Sequence, residues 1–220
     1  CLDEATKKAV SPQHYELTYH TYDRPEALLE RLHKVDSLVY GIGLGEKEDH
    51  EAFLKALLET KIPIVIDADG LKVLKNVLKA FDKPLEHVII VPHAGELARF
   101  TESTSQAILH DPLNAVRTVA KSTGMTVVLK GPATIVGSGA FMSLSQAKNP
   151  GLATAGSGDV LAGIAGSLIA RKVPPFYAAR LAVAMHSQAS RHALDVTGEE
   201  SLTAGDIIAH LPRAIKQFKS

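Results

Sequence analysis

The 220-residue sequence has a single cysteine, few aromatic residues and no excess of charge of either sign. One cysteine cannot form an internal disulfide, which is typical of proteins from a reducing compartment, so we expect a cytoplasmic protein. Basic and acidic residues each number 24, so no net field favours nucleic acid or an anionic membrane surface. No apolar run reaches the roughly 18 residues of a transmembrane candidate. The composition therefore predicts no nucleic-acid partner and no membrane partner.

The hydrophobic content of 45% is sufficient for one substantial core. Chains of this length commonly form one domain, so we predict a single domain over residues 1–220. Short apolar runs too short for helices alternate with helical patterns, and the runs lie at residues 37–40, 63–66, 87–91 and 126–129. This alternation predicts an α/β fold with three layers, in which helices cover both faces of a mostly parallel sheet.

Three further segments complete the predicted fold. Two short apolar runs around residues 137–139 predict a late β-hairpin at or near one edge of the sheet. The alternating stretch HYELTYH at residues 14–20 predicts another strand. After residue 159 the pattern is helical, and we predict helices at residues 160–171, 176–194 and 204–218.

Polar and glycine-rich segments directly follow the four predicted parallel strands. They read GIGLG, DADG, PHAGE and KGPAT, in chain order. Ligands of open α/β sheets bind beyond the carboxyl ends of the strands, where loops bring distant residues together. We therefore predict that these four loops form one crevice.

Each loop also has a purely structural interpretation. The glycines of GIGLG either permit a tight turn or let a ligand approach closely. Asp67 and Asp69 are either a solvated turn, with Asp69 capping the next helix, or a carboxylate pair that holds magnesium or a hydroxyl group. His93 can be interpreted as an ordinary loop residue. Lys130 either caps the end of a strand or supplies positive charge for an anionic ligand.

No zinc-binding pattern such as HExxH occurs, and the sequence does not identify the ligands of a metal ion. We predict that most remaining histidines, including His186 and His192, are surface or capping residues.

The stretch NPGLATAGSGDVLAGIAGSLIA carries an excess of small residues before a helix. The backbone N–H groups of Thr154–Gly158 and of the first helical turn can surround a phosphate, because no large side chains block its approach. Asp159 at the helix start can then accept a proton from a substrate hydroxyl during phosphoryl transfer. The alternative is a glycine-rich turn that Asp159 merely caps.

Taken in order, VYGIGLG, VIDADGLKVL, VPHAGELARF, KGPATIV and NPGLATAGSGDVLAGIAGSLIA resemble the nucleotide-dependent NAD(P)H-hydrate dehydratase family of the ribokinase-like superfamily. The resemblance covers essentially the whole chain. It implies ADP- or ATP-driven dehydration of the S epimer of hydrated NADH or NADPH with Mg²⁺, through phosphorylation of the ring hydroxyl and elimination of phosphate. We accordingly expect adenine nucleotide and hydrated cofactor as small-molecule partners, and a homo-oligomer.

The resemblance also assigns residues. Asp159 matches the catalytic, substrate-contacting aspartate, and Gly43 or Gly45 with His93 match positions that line the hydrated-nicotinamide pocket. The matches to the adenine-nucleotide site are Lys130, Gly131, Pro132, Ala133, Thr134, Asn149, Pro150, Gly151, Leu152, Ala153, Thr154, Ala155, Gly156, Ser157 and Gly158.

The sequence departs from the family pattern in three places. It has DADGLK where the family usually has DADALN, and VPHAGE where the family usually has TPHPGE, which alters the pocket's shape without removing a proposed acid or base. Family members also begin with a further strand–helix–strand unit, so we expect this domain to be N-terminally incomplete. Two alternatives stay open, a small-molecule kinase of the vitamin-precursor type and a nucleotide-binding remnant without catalysis.

Overall fold

The computed structural model describes residues 7–9, 16–20, 29–45, 50–146 and 149–218, which form a six-stranded sheet between two helical layers. The strands are β1 (Leu38–Tyr40), β2 (Ile64–Ile66), β3 (Val88–Ile90), β4 (Thr126–Leu129), β5 (Thr134–Ser138) and β6 (Phe141–Ser145). The α-helices are α1 (His50–Glu59), α2 (Asp69–Val77), α3 (Ala94–Phe100), α4 (Ser105–His110), α5 (Pro112–Thr123), α6 (Ser157–Ala170), α7 (Pro175–Thr197) and α8 (Ala204–Gln217). The predicted three-layer α/β/α fold is confirmed.

The strands lie in the sheet in the order in which they occur along the chain. Strands β1 to β4 are parallel, and β4, β5 and β6 pair antiparallel, so the hairpin lies at one edge as predicted. Helices connect the parallel strands, because such strands need a crossover to return to the same end of the sheet. The carboxyl ends of β1 to β4 therefore all meet at one edge of the molecule.

Each face of the sheet is covered by its own hydrophobic cluster. Alternate residues of β2 and β3 point to opposite faces, so Ile64 and Ile66 pack beneath α1 to α5, while Val65 packs beneath α6 and α7. This explains why β2, β3 and β4 are buried at every position and read as continuous apolar runs. Helix α8 packs on α7 through a third cluster that includes Ala189, Ala193 and Ile207.

Helix α5 shows how local sequence sets an element's bounds. The Asp111 side chain accepts a hydrogen bond from the Asn114 backbone N–H, and Pro112 follows at the first helical position. Gly124 ends the helix in the left-handed region, at φ +74°, which glycine adopts without steric cost.

The predicted strand at residues 14–20 is wrong where it is described. Residues 14 and 15 lie outside the described residues, while residues 16–20 form a turn and irregular backbone. Leu17, in the middle of the apolar alternation, is 56% exposed, so it does not pack against a core as an apolar strand residue would. None of the described helices combines the length and the apolar character needed to cross a membrane.

Candidate active site

The four loops predicted to form one crevice do come together at the carboxyl ends of β1 to β4. The pairing of β3 with β4 continues past both strands as a bridge between His93 and Lys130, with the Lys130 N–H donating to the Pro92 carbonyl at 2.8 Å. In the first loop, the Gly45 N–H approaches the Asp69 carboxylate at 3.4 Å. All four loops therefore contribute to one edge of the sheet.

Lys130 is the cation of this edge and lies near two carboxylates. Its Nζ donates to Asp67 Oδ1 at 2.8 Å and lies 3.8 Å from Glu96 Oε2. The Asp67 side chain is only 2% exposed, whereas that of Lys130 is 24% exposed. The ammonium thus connects a buried carboxylate to the open crevice.

The carboxylates of Asp67 and Asp69, for which the sequence left open a magnesium-holding pair or a solvated turn, have different ionic partners, Lys130 and Lys72. The strand ends at Ile66, and Asp69 begins α2, where its carboxylate pairs with Lys72 at 3.2 Å. Asp69 is also not the helix cap, because Ala68 occupies that position without a side-chain hydrogen bond.

His93 is both a helix cap and a crevice residue. Its Nδ1 accepts from the backbone N–H groups of Gly95 and Glu96 at 3.0 and 3.3 Å, while the Glu96 carboxylate accepts from the His93 N–H. This capping box fixes the ring and leaves the proton of a neutral imidazole on Nε2. Nε2, with Glu96 Oε1 at 3.5 Å, is therefore a hydrogen-bond donor for the crevice.

The glycine-rich segment provides an uncapped helix start. Gly156 is the N-cap residue of α6 with φ +81°, and no side chain caps the helix there. Backbone N–H groups at such a start are unsatisfied within the helix and favour anions. Asp159 is the third residue of α6, so the alternative in which it merely caps the helix is wrong.

Asp159 is the acidic group of this first turn. Partial desolvation raises the pKa of its carboxyl, and the nearby Asp67 charge raises it further, while Lys130 opposes both effects. A carboxylate with a raised pKa is a stronger base than an ordinary aspartate, which suits it to proton abstraction near neutral pH.

A cavity of about 640 Å³ lies between the KGPAT loop and the glycine-rich segment. Of the residues predicted for the nucleotide site, it is lined by Lys130, Gly131, Pro132, Thr134, Asn149, Pro150, Leu152, Ala153, Ser157 and Gly158. His93 also lines it. Of the other predicted residues, those outside the cavity lining are Ala133, Gly151, Thr154, Ala155, Gly156, Asp159, Gly43 and Gly45.

The sequence analysis missed two lining residues, Leu161 and His186. His186 was predicted at the surface or as a cap, but it is 7% exposed and its Nε2 lies 3.2 Å from the Ser157 hydroxyl. His192 is also buried, between Gln188 and Gln217. The signal for His186 was its position on the small-residue face of α7, four residues after Ala182 and three before Ala189.

Solved structures share this architecture. The sheet and helices match those of a ribokinase-like superfamily protein from Enterococcus faecalis, which is 23% identical, covers 98% of this chain and superposes with a TM-score of 0.84. The structure of the Bacillus subtilis ADP/ATP-dependent NAD(P)H-hydrate dehydratase co-crystallized with ATP/Mg²⁺ superposes with a TM-score of 0.85. It is 24% identical in sequence and covers 98% of this chain, which itself covers 76% of that structure. At this identity the likeness establishes the fold alone.

Sequence comparison establishes the family. The family model described as NAD(P)H-hydrate dehydratase matches residues 2–213, so the chain belongs to that family. The ADP-dependent (S)-NAD(P)H-hydrate dehydratase of Neisseria meningitidis is 36% identical over 192 residues, which is 85% of this chain and 63% of that protein. The bifunctional NAD(P)H-hydrate repair enzyme Nnr of Moorella thermoacetica is 33% identical over 199 residues. That match spans 90% of this chain but 38% of the relative.

Proposed function

We propose that this chain catalyses the nucleotide-dependent dehydration of the S epimer of hydrated NADH or NADPH, which restores the normal cofactor. The observation that carries the proposal is that a cation, an uncapped helix start and a carboxylate with raised pKa lie together at one edge of the sheet, where Lys130 and the first turn of α6 also line the cavity. These are the groups that phosphoryl transfer to a hydroxyl requires. Membership of the NAD(P)H-hydrate dehydratase family selects the hydrated cofactor as the acceptor.

ADP or ATP occupies the cavity between residues 130–134 and 149–158 in this proposal. The phosphates point toward residues 155–158, where the start of α6 offers unsatisfied N–H groups and Lys130 supplies positive charge. The adenine lies toward the apolar part of the lining, formed by Pro132, Pro150, Leu152 and Leu161.

The hydrated nicotinamide lies toward His93 and the GIGLG loop. The space next to Gly43 and Gly45 is open, since an added Cβ would have no neighbour within 4 Å at either residue. The fixed ring of His93 presents its Nε2–H for a hydrogen bond with the substrate. The substrate hydroxyl then faces Asp159.

In the proposed reaction, Asp159 accepts the hydroxyl proton as the terminal phosphoryl group of the nucleotide moves to the hydroxyl oxygen. The ring carbon–oxygen bond of the phosphate ester then breaks. Inorganic phosphate leaves with the bonding electrons, and a proton leaves the adjacent ring carbon, which forms the ring double bond. The helix start and Lys130 stabilise the charge of the phosphoryl group during transfer.

Magnesium enters the proposal with the nucleotide. Within the described residues, no three histidine, cysteine, aspartate or glutamate side chains are grouped so that they could hold a metal ion. Mg²⁺ commonly keeps several waters and binds substrate phosphates with few protein carboxylates. We therefore assign its coordination mainly to phosphates and water, where it neutralises phosphate charge.

A direct test uses the purified protein with hydrated NADH, Mg²⁺ and either ADP or ATP. Recovery of the nicotinamide absorbance with release of inorganic phosphate supports the proposal. A stable phosphorylated product without recovery indicates a kinase instead. Nucleotide binding without turnover of any candidate substrate indicates a remnant.

We also propose a cytoplasmic location and a homo-oligomeric assembly. The single cysteine is consistent with a reducing compartment, and the proposed substrates are intracellular cofactors. Light scattering on the purified full-length protein tests the assembly, and a monomer across the micromolar range would contradict it.

A further inference from the structure

Asp67 is a buried carboxylate to which the proposed mechanism has so far given no role. It lies one residue after β2 and is 1% exposed. Its Oδ1 accepts from the Lys130 ammonium and from the Ala68 backbone N–H, both at 2.8 Å. Burying a charged carboxylate is costly unless it is paired and hydrogen-bonded, so these two contacts compensate its burial.

The backbone next to Asp67 is held in an unusual conformation. Ala68 has φ +50° and ψ −126°, in a region that residues with a side chain rarely adopt. Such strain persists where the surrounding structure determines it, and it is concentrated at functional sites. Here it accompanies the hydrogen bond that fixes the Asp67 carboxylate, and the carboxylate in turn fixes Lys130.

Gly158 lies close to both members of the Lys130–Asp67 ion pair. A Cβ added to Gly158 would lie 3.2 Å from Lys130 Nζ and 3.6 Å from Asp67 Oδ2. The ammonium therefore lies against the first turn of α6, next to Gly158, which directly precedes Asp159 in the sequence. The other charged group within 4 Å of Nζ among the described residues is Glu96, at 3.8 Å.

We propose that Asp67 is a positioning residue, whose carboxylate holds the Lys130 ammonium against the first turn of α6, where the ammonium meets the phosphoryl group in transit. The role rests on the proposed function, because it concerns the same phosphoryl transfer. An ion pair that only stabilised the fold would have no reason to place its cation at an uncapped helix start. In the proposed reaction the negatively charged phosphoryl group passes this turn, so a cation fixed there lowers the barrier to transfer.

The central variant is Asp67→Asn, which keeps the size of the side chain and an acceptor for Ala68 but removes the charge that holds Lys130. The neutral amide oxygen attracts the Lys130 ammonium less strongly than the carboxylate does, so we expect the partly exposed Lys130 side chain to spend more time turned toward solvent. We expect kcat to fall on the order of 10²-fold, the scale for losing one electrostatic contact to a transition state. KM for the hydrated cofactor changes much less.

A second variant tests whether Asp67 acts through Lys130. Lys130→Met alone leaves a buried unpaired carboxylate and endangers folding, so the comparison uses Asp67→Asn/Lys130→Met, which removes both charges. If Asp67 acts through Lys130, the double variant is less than about 3-fold slower than Asp67→Asn, because coupled residues are not additive. A further loss of about 10-fold or more shows independent roles and overturns the proposal.

A binding measurement separates this inference from the proposed function. Calorimetry needs no substrate turnover. It uses the nucleotide that remains after transfer, which is AMP if ADP is the donor and ADP if ATP is the donor, alone and together with aluminium fluoride, which mimics a phosphoryl group in transit. We expect Asp67→Asn to leave the affinity for this nucleotide within about 3-fold while weakening the fluoride complex about 10-fold or more. Equal effects on both ligands overturn the proposal, even if the enzyme dehydrates its substrate. A larger loss of affinity for the fluoride complex than for the nucleotide alone supports the proposal, even if the substrate is another alcohol.

Two controls complete the design. Asp36→Asn breaks an exposed ion pair with Lys172, at 3.1 Å, and should leave all these quantities unchanged. Activity is also titrated with Mg²⁺. If Asp67→Asn acts mainly by raising the Mg²⁺ concentration needed for half-maximal activity, Asp67 serves the metal rather than Lys130, and the proposal is wrong.

Discussion

The Ser157 hydroxyl in the first turn of α6 and His186 Nε2 on α7 lie 3.2 Å apart, and both side chains are buried. This contact joins the proposed phosphate-binding turn to the longest helix of the described chain. Burial lowers the pKa of His186 from 6.5 to about 4, so the ring is neutral at neutral pH. Between pH 6.5 and about 4, His186 is therefore protonated in the unfolded chain but neutral in the folded state.

This difference predicts a loss of stability in mild acid. Above pH 6.5 His186 is neutral in both states and contributes no pH dependence. As the pH falls from 6.5 to about 4, the unfolded state is protonated and the folded state is not, so the free energy of unfolding decreases. The total loss is on the order of 3 kcal/mol, complete below the folded pKa. Urea unfolding between pH 7.5 and 4 measures it.

The matched control is His186→Gln, which cannot titrate but can still hydrogen-bond to Ser157. The variant should lose less stability than the parent over the same pH interval, because all other titrating groups are common to both proteins. This includes His87, whose pKa burial also lowers. Identical pH profiles for parent and variant would show that His186 is not responsible.

A second prediction concerns the close approach of Gly41 to the Asp67 backbone. A Cβ at Gly41 would lie 2.1 Å from the Asp67 carbonyl oxygen, and the residue has φ +112°. Gly41→Ala should therefore lower the free energy of unfolding by roughly 3 kcal/mol or more, through overpacking and backbone strain together. Gly43→Ala, at φ +62° with open space around it, should cost only about 1 kcal/mol. Equal losses in denaturant unfolding would contradict the predicted clash.

The sequence was sufficient to predict the architecture, because the relevant patterns are local. Continuous apolar runs identified β2, β3 and β4, and the loops after them follow topologically from a parallel sheet. The hairpin at β5 and β6 was also local. These features require no knowledge of which distant residues touch.

The details that failed depend on tertiary contacts or on a one-residue choice of helix start. Aspartate is a common N-cap residue, so Asp69 and Asp159 were both candidates for that position. The helices instead begin at Asp69 itself and at Ser157, with Ala68 and Gly156 as the N-cap residues. The Lys130–Asp67 pair spans 63 residues and could not be read from either loop alone. His186 was predicted at the surface or as a cap because histidine is polar. Its buried position depends on Ser157, which lies 29 residues away in the sequence and could not be identified as its partner.

A third prediction tests Asp159 as the base. Because Asp159 is the third residue of α6 and not its cap, Asp159→Asn should leave the helix start and the melting temperature nearly unchanged. Turnover of hydrated NADH should fall by on the order of 10²-fold or more in kcat, with nucleotide affinity changed much less. Steady-state kinetics and calorimetry on the full-length protein measure the two effects. A near-normal rate in this variant would remove Asp159 from the mechanism.

The last prediction compares two glycines of α6, Gly158 in its first turn and Gly163 in its interior. A Cβ at Gly158 would lie 3.2 Å from Lys130 Nζ, whereas one at Gly163 would have no neighbour within 4 Å. Gly163→Ala should stabilise the protein by up to about 1 kcal/mol, because alanine favours helix, and leave kcat unchanged. Gly158→Ala should show no such gain, because displacing the ammonium weakens its pair with the buried Asp67 carboxylate, and it should slow turnover about 10-fold or more by moving that charge and crowding the phosphate. Thermal unfolding and kcat measured on both variants decide the matter, since equal kcat values would mean that no phosphate approaches the first turn of α6.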